Sequence, residues 1–334
     1  MKTFTGIEYL KLAMANSYGL DKQNWEPRLE WVDDFLSQRD PLNSKEMIKA
    51  SEPLLLEKAY HAYTDAIGEV PVGFLCNMDA TASGLQILAC LTGCKVTARN
   101  VNLINTGNRE DIYRKMATTM SKDIGKTLTR SELKDPTMTV FYGSKMEPIK
   151  LFGEGTTELH SFYLTLEKEC PLPFEVIEDI QSCWQSDTLQ HIFTLPDGHT
   201  ASVPVTQMVK KKIEIDELEH TTFTYQTELN IPQSRGISLI ANIVQAIDAY
   251  VVREMIRKAK NQGFDLLCIH DSFWAHCNYM NNVRNNYKEI LSRIARSNLL
   301  QDILRQVTGD ANLTYAKEVN DLPDLILEAE YALS

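Results

Sequence analysis

The stretch CIHDSFWAH, residues 268–276, follows the apolar run GFDLL with a polar string and then resumes as FWAH. Side chains alternate between the faces of a strand, so His270 and Asp271 cannot share one environment if the strand runs through them. We read FDLLCI (264–269) as a strand, FWAHC (273–277) as its return strand, and Asp271 as standing where the two meet. A second acidic residue has the same setting. The short apolar segment VGFLCNM (72–78) suits a core strand and delivers Asp79 at its end.

A long, mostly helical insertion separates the two aspartates, yet strand ends can lie side by side in one sheet. Two adjacent carboxylates repel unless a hard divalent cation lies between them, and Mg²⁺ takes oxygen ligands together with substrate phosphate. Two such ions activate an attacking oxygen and stabilise a leaving pyrophosphate. The plainer alternative is a pair of strand-terminal aspartates capping the turns that follow.

The rest of the chain reads mainly as helix. GIEYLKLAMANSY (6–18), EPRLEWVDDFL (26–36) and SEPLLLEKAYHAYTDAI (51–67) carry helical apolar spacing, and ASGLQILACLTG (82–93) resumes it after Asp79. REDIYRKMATTMSKDIGKTL (109–128), DPTMTVFYG (135–143) and ELHSFYLTLEKEC (158–170) are helical in the middle of the chain. HIFTLPDGHTASVPV (191–205) has a strand, a Pro-Asp-Gly turn and a strand, and KKKIEIDELEHTTFTYQTEL (210–229) reads as an extended, partly exposed ribbon. ISLIANIVQAIDAYVVREMIRKAKNQG (237–263) is a long helix stopped at Gly263, and residues 281–307 read as one further helical run before a short acidic C-terminal helix. There is no internal repeat or low-complexity linker.

With 334 residues and 43% hydrophobic composition the chain fills a sizeable core. It has no apolar run long enough to span a membrane and no apolar leader. Seven cysteines without a C-x-x-C pair fit reduced, mostly buried thiols. The net charge of −11 argues against a generic nucleic-acid coat, but Arg109, Arg114, Lys115, Lys122, Lys126, Arg130, Lys134, Lys145 and Lys150 cluster between positions 109 and 150. A cation-lined groove and an ordinary helix surface both fit that cluster.

Within it, RSELKDPTMTVFYGS places Arg130, Lys134, Met138 and Tyr142 four apart, so one helical face presents two cations and then an aromatic. Fixed cations beside a polyphosphate neutralise charge on the leaving group. There is no G-x-x-x-x-G-K-[ST], no G-x-G-x-x-G and no G-x-S-x-G around Ser272, which disfavours Walker-type ATPases, dinucleotide enzymes and α/β-hydrolases. Cys268, His270, His276 and Cys277 are divided between strand faces and make a poor zinc site.

These residues resemble the catalytic half of the single-subunit, phage-type DNA-directed RNA polymerases of phages and mitochondria. MDATASGLQ resembles the first palm motif, R-x-x-x-K-x-x-x-M-x-x-x-YG from Arg130 to Gly143 the O-helix motif of the fingers, and HDSF (270–273) the last palm motif. TGIEYLKLAMANSYGLDK, DIYRKMA, TLPDGHTASV and the tail LILEAEYALS also resemble family segments, so the similarity covers most of the chain. The resemblance implies an α+β, mostly helical right hand with a small antiparallel palm sheet. Residues 1–94 and 261–334 would form the palm and C-terminal tail, and 95–260 the fingers, with about 204–235 in the place of the promoter-specificity hairpin.

The resemblance further implies that Asp79 and Asp271, with Ala80, hold two Mg²⁺ ions, that Arg130 and Lys134 contact the triphosphate with Lys134 protonating pyrophosphate, and that Tyr142 tests the sugar. Tyr113, Gly143, His270 and Gln245 complete the expected nucleotide-contacting set, Gln245 standing where the family commonly has a histidine. Asp135 departs from a familiar basic residue. DNA template, nascent RNA and NTPs are the implied partners, in the cytoplasm of a phage-infected host. The N-terminal domain, the thumb and the D-x-x-G-R segment have no counterpart in the sequence. A second polypeptide is therefore expected to supply them, and a single-stranded-DNA-binding or promoter-opening factor is a further expected partner. An A-family-like DNA polymerase is the nearest alternative, although its last palm motif usually reads HDE; a primase and a non-catalytic transcription scaffold are the others.

Overall fold

The computed structural model describes residues 2–232 and 236–334. Four helices open the chain: α1 (Gly6–Tyr18), α2 (Trp25–Leu36), α3 (Lys45–Lys49) and α4 (Pro53–Ile67). α1 starts in a capping box, in which Thr5 accepts from the Glu8 amide while Glu8 reaches back to the Thr5 amide, and it stops at Gly19 with φ +113°. Strand β1 (Leu75–Asp79) then leads into α5 (Ser83–Thr92) and α6 (Lys95–Asn100).

The middle of the chain is a run of helices, α7 (Ile112–Ile124), α8 (Arg130–Val140), α9 (Met146–Phe152), α10 (Thr157–Glu169) and α11 (Pro171–Ser182). The carboxylate of Asp111 caps α7 by accepting from the Tyr113 and Arg114 amides, and Thr129 with Glu132 forms a capping box on α8. The helical reading of this region ends at Cys170, with two prolines close behind it. Pro171 instead opens α11, where the first amides of a helix have no intrahelical partner and proline costs nothing.

Two antiparallel ribbons follow, β2 (Gln190–Thr194) with β3 (Thr200–Pro204), and β4 (Gln207–Ile215) with β5 (Thr221–Leu229). The second is exposed along almost its whole length and carries Lys210, Lys211 and Lys212 opposite Gln226, Tyr225 and Thr224. It is the extended ribbon expected over 210–229; positions 233–235 of the wider span 204–235 lie outside the described residues. At its tip His220 Nδ1 pairs with Glu214 and Asp216 at 2.9 and 3.1 Å, all three exposed.

The long helix α12 (Ile237–Asn261) runs back to β6 (Leu267–Ile269) and β7 (Ser272–His276), and the chain closes with α13 (Met280–Arg296), α14 (Leu299–Thr308) and α15 (Leu322–Leu327). The single helical run expected over 281–307 is thus two helices. Ser297 is extended, its hydroxyl accepts from the Leu299 amide, and this local bond competes with helix continuation.

β1, β7 and β6 form one antiparallel sheet in that order, with Asp79 opposite Ser272 and Ile269 opposite Ser272. Cys76, Met78, Phe273 and Ala275 point inward, and α5 sits in the core against α12 and α13. The buried Gln86 of α5 has no unmet polar atom: Nε2 donates to the Val101 and Ala332 carbonyls at 2.9 Å, and Oε1 accepts from Tyr287 at 2.6 Å. All seven cysteines are free thiols, and among the described residues no helix is long and apolar enough to cross a membrane.

Candidate active site

β1 ends on Asp79, and the chain turns through Ala80, Thr81 and Ala82 into α5. Ala82 holds φ +55°, a left-handed conformation that costs a residue with a β-carbon about 1–2 kcal/mol. The other side of the sheet end is the two-residue turn His270–Asp271 between β6 and β7. His270 takes φ +54° there, at the first central position of a tight hairpin, where glycine is preferred. The Ala80 amide donates to the Asp271 carbonyl at 3.2 Å, so the ladder makes Asp79 and Asp271 immediate neighbours.

A third carboxylate joins them. Asp248 of α12 faces the same cavity, and Ser83 lines it beside Asp248 and Asp271. Burial, then the charge of Asp271, pushes the Asp248 carboxyl up to about 6. Burial raises Asp271 as well, and the charge of Asp79 adds to it. No ion pair from Lys, Arg or His reaches any of the three among the described residues. Adjacent carboxylates with no cationic partner fit a hard divalent ion that takes oxygen ligands. The oxygens of all three do not gather within 4.8 Å of one another.

The cavity encloses about 500 Å³, and cations face it from other elements: Lys22, Arg109, Arg130 and Lys134. Arg130 is fixed twice. Its Nε donates to Asp111 Oδ2 at 2.5 Å, and its guanidinium lies 5.4 Å from the ring centre of Tyr113. Lys134, one turn further along α8, is exposed and has no ion pair among the described residues. Lys22 pairs with its neighbour Asp21.

Tyr142 and Tyr113 line the same cavity. Burial pushes the Tyr142 phenol up to about 12, with the charges of Asp248 and Asp271 adding to the effect, and burial does the same to Tyr113. α8 ends at Val140, so Tyr142 is not on its helical face as the spacing suggests; the Tyr142 amide donates to the Thr139 carbonyl and the ring enters the cavity from a turn. The chain's last residues also reach this place. Leu333 bridges Ala80, the Ser334 amide donates to the Asp79 carbonyl at 3.1 Å, and Arg284 holds the tail through Glu330 at 3.0 Å.

Asp79, Ala80, Asp271, Arg130, Lys134, Tyr113 and Tyr142 therefore line one cavity. Gly143 is buried and lines a neighbouring cavity of about 210 Å³ with Tyr163 and Phe174. Gln245, one turn before Asp248, and His270 are exposed, and neither lines the main cavity. Sequence reasoning missed Lys22, Ser83 and Asp248 as site residues and named Arg109 only within the cation cluster of 109–150. Signals existed for Asp248, a lone carboxylate in the apolar run IANIVQAIDAYVV, and for Ser83, which opens α5 inside MDATASGLQ; Lys22 and Arg109 depend on loop paths.

The chain matches the family model described as DNA-dependent RNA polymerase over residues 3–150 and 176–327. It is 22% identical over 365 residues to a mitochondrial DNA-directed RNA polymerase of Schizosaccharomyces pombe, covering 90% of this chain and 31% of that protein. It is 24% identical over 343 residues to the DNA-directed RNA polymerase of Pseudomonas phage phiKMV, covering 85% and 42%. A probable DNA-directed RNA polymerase of Neurospora crassa is 34% identical over 129 residues, covering 36% and 14%. The chain thus spans less than half the length of these relatives. By these matches it belongs to the DNA-dependent RNA polymerase family, in the phage-type group of phage and mitochondrial enzymes.

Proposed function

We propose that this chain carries the nucleotidyl-transfer centre of a DNA-directed RNA polymerase, joining NTPs to an RNA 3′-hydroxyl under the direction of a DNA template. The observation that supports it is the single cavity lined by Asp79 and Asp271 together with Arg130 and Lys134. In this reading residues 1–94 and 261–334 are palm, 95–260 are fingers, and the β4–β5 ribbon takes the place of the specificity hairpin. The alternatives of DNA polymerase, primase or scaffold gain nothing from relatives named as RNA polymerases.

Asp79 and Asp271, with Ala80, would hold Mg²⁺. Bound there, divalent ions supply Lewis acidity at the attacking hydroxyl and the leaving pyrophosphate. The chain's own residues do the positioning. Arg130, immobilised by Asp111 and Tyr113, keeps its terminal nitrogens for phosphate, and the Lys134 ammonium supplies charge and a proton to departing pyrophosphate. The Tyr142 phenol, with its pKa near 12, stays protonated at neutral pH and offers a donor beside the sugar.

The relatives include mitochondrial and phage enzymes, and the phage relative supports a host-cytoplasm setting for this chain. The second polypeptide expected from the sequence has no support among these longer single chains and stands as a proposal to be tested by co-purification. The test of function is Mg²⁺-dependent NTP incorporation on a primed template by the purified chain with whatever co-purifies. Asp79→Ala and Asp271→Ala are each expected to abolish it. Wild-type rates in either variant would remove the reading.

A further inference from the structure

We propose that Arg109 is an additional phosphate-binding residue of this cavity, taking the triphosphate tail of the nucleotide beside Arg130 and Lys134. The inference rests on the polymerase reading of the site. Nothing in the sequence motifs singles out this arginine, which precedes the cap of α7 by two residues.

Its position is fixed from two sides. The Arg109 amide donates to Asn24 Oδ1 at 2.7 Å, and Asn24 Nδ2 donates to Asn108 Oδ1 at 3.1 Å, so the start of α2 pins the loop. Nε donates to the Ser334 hydroxyl at 3.0 Å. The two terminal nitrogens have no hydrogen-bond partner among the described residues, and no ion pair forms. Asp21 and Asp111 lie close enough to act on Arg109 electrostatically, but each already pairs with another cation, Lys22 and Arg130 respectively.

A half-buried guanidinium with its fork unpaired in a cavity calls for an anion, and a phosphate oxygen pair matches that fork in geometry. The anion must also avoid the carboxylates of Asp79, Asp248 and Asp271. A polyphosphate chain meets both demands: one end lies among Lys22, Arg109, Arg130 and Lys134, and the other approaches the carboxylates only through divalent ions. Burial lowers the Arg109 pKa, yet a guanidinium remains charged across the working pH range, so the attraction is permanent.

The experiment is calorimetric titration with inorganic tripolyphosphate, with an NTP and with a single-stranded oligonucleotide, on the wild type, Arg109→Gln, Arg109→Lys and the exposed control Arg114→Gln. Arg109→Gln is expected to weaken tripolyphosphate and NTP binding ~10-fold to ~100-fold. Arg109→Lys should lose less, and Arg114→Gln should match the wild type. Oligonucleotide binding should not change. If the wild type binds tripolyphosphate and Arg109→Gln binds it equally well, this inference fails and the polymerase reading stands. If the wild type binds no tripolyphosphate, both fail. A loss confined to the oligonucleotide also overturns the inference. Should Arg109→Gln not fold, Arg109→Lys decides the matter: a weakened affinity supports the inference, and an affinity equal to the wild type's overturns it.

Discussion

The hydroxyl of Tyr142 lies 2.6 Å from where a β-carbon on Gly84 would stand, and its ring carbon Cζ 3.1 Å. The tyrosine ring in the turn after α8 is thus seated on the bare backbone of α5, the helix that follows Asp79. The sheet end and the cation-bearing helix meet at that contact.

Adding the missing carbon should displace the ring. Gly84→Ala is expected to cost about 1–3 kcal/mol of stability and to depress NTP incorporation. Removing the hydroxyl relieves the closest clash, so Gly84→Ala combined with Tyr142→Phe should be more stable than the sum of the two single changes. A double-mutant cycle by chemical denaturation checks this.

Tyr142→Phe alone keeps the ring and removes the donor. The expected result is a higher ratio of dNTP to NTP incorporation. An unchanged ratio would relieve Tyr142 of the sugar-testing role.

Asp248 gives a pH prediction. Its folded pKa of about 6 lies above the ordinary 3.8, so its ionisation opposes folding. Its contribution to stability is full below about pH 4 and is lost as pH rises through about 6. At Asp111 burial pushes up, but the Arg130 bond and charge, the Arg114 amide and the Arg109 charge together outweigh it, and at Asp197 the Arg253 bond leads; both pKa values fall, and both groups act in the opposite direction. The readout is therefore the difference between proteins: in EDTA, Asp248→Asn should gain about 1–2 kcal/mol on the wild type at pH 7 and little at pH 4. Denaturant midpoints at the two pH values measure it.

Arg284 is 1% exposed and donates to the Glu330 carboxylate and carbonyl, the Lys2 carbonyl and the Tyr9 hydroxyl. Arg284→Ala leaves the largely buried Glu330 carboxylate without its cation and should cost about 3–5 kcal/mol. It should also loosen the tail that ends at Asp79, seen as faster amide exchange at Leu333 and Ser334.

The strands around Asp79 and Asp271 were legible because short apolar runs ending in a lone polar residue have few other readings. The return of β7 on β6 was readable from 264–277, whereas the pairing of β1 with β7 was not written in their own residues. Tyr142 was misplaced on a helical face because four-residue spacing continues on paper past Val140, whereas the backbone turns at Phe141. Lys22 was invisible as a site residue, and Arg109 was not separable from the other cations of 109–150, because each sits in a loop whose path is set by distant contacts, Asn24 and Ser334 for Arg109. Asp248 differs: its helix is plain in the sequence, but the resemblance points to Gln245 one turn earlier, and only the packing of α12 turns the carboxylate toward Asp271.

Titration of the metal-free chain with Mn²⁺, followed by electron paramagnetic resonance, tests most directly whether Asp79 and Asp271 share divalent ions. The wild type should bind Mn²⁺ saturably, with Mg²⁺ competing, and Asp79→Ala or Asp271→Ala should each lose that binding while remaining folded. Binding in either variant indistinguishable from the wild type's would contradict the account.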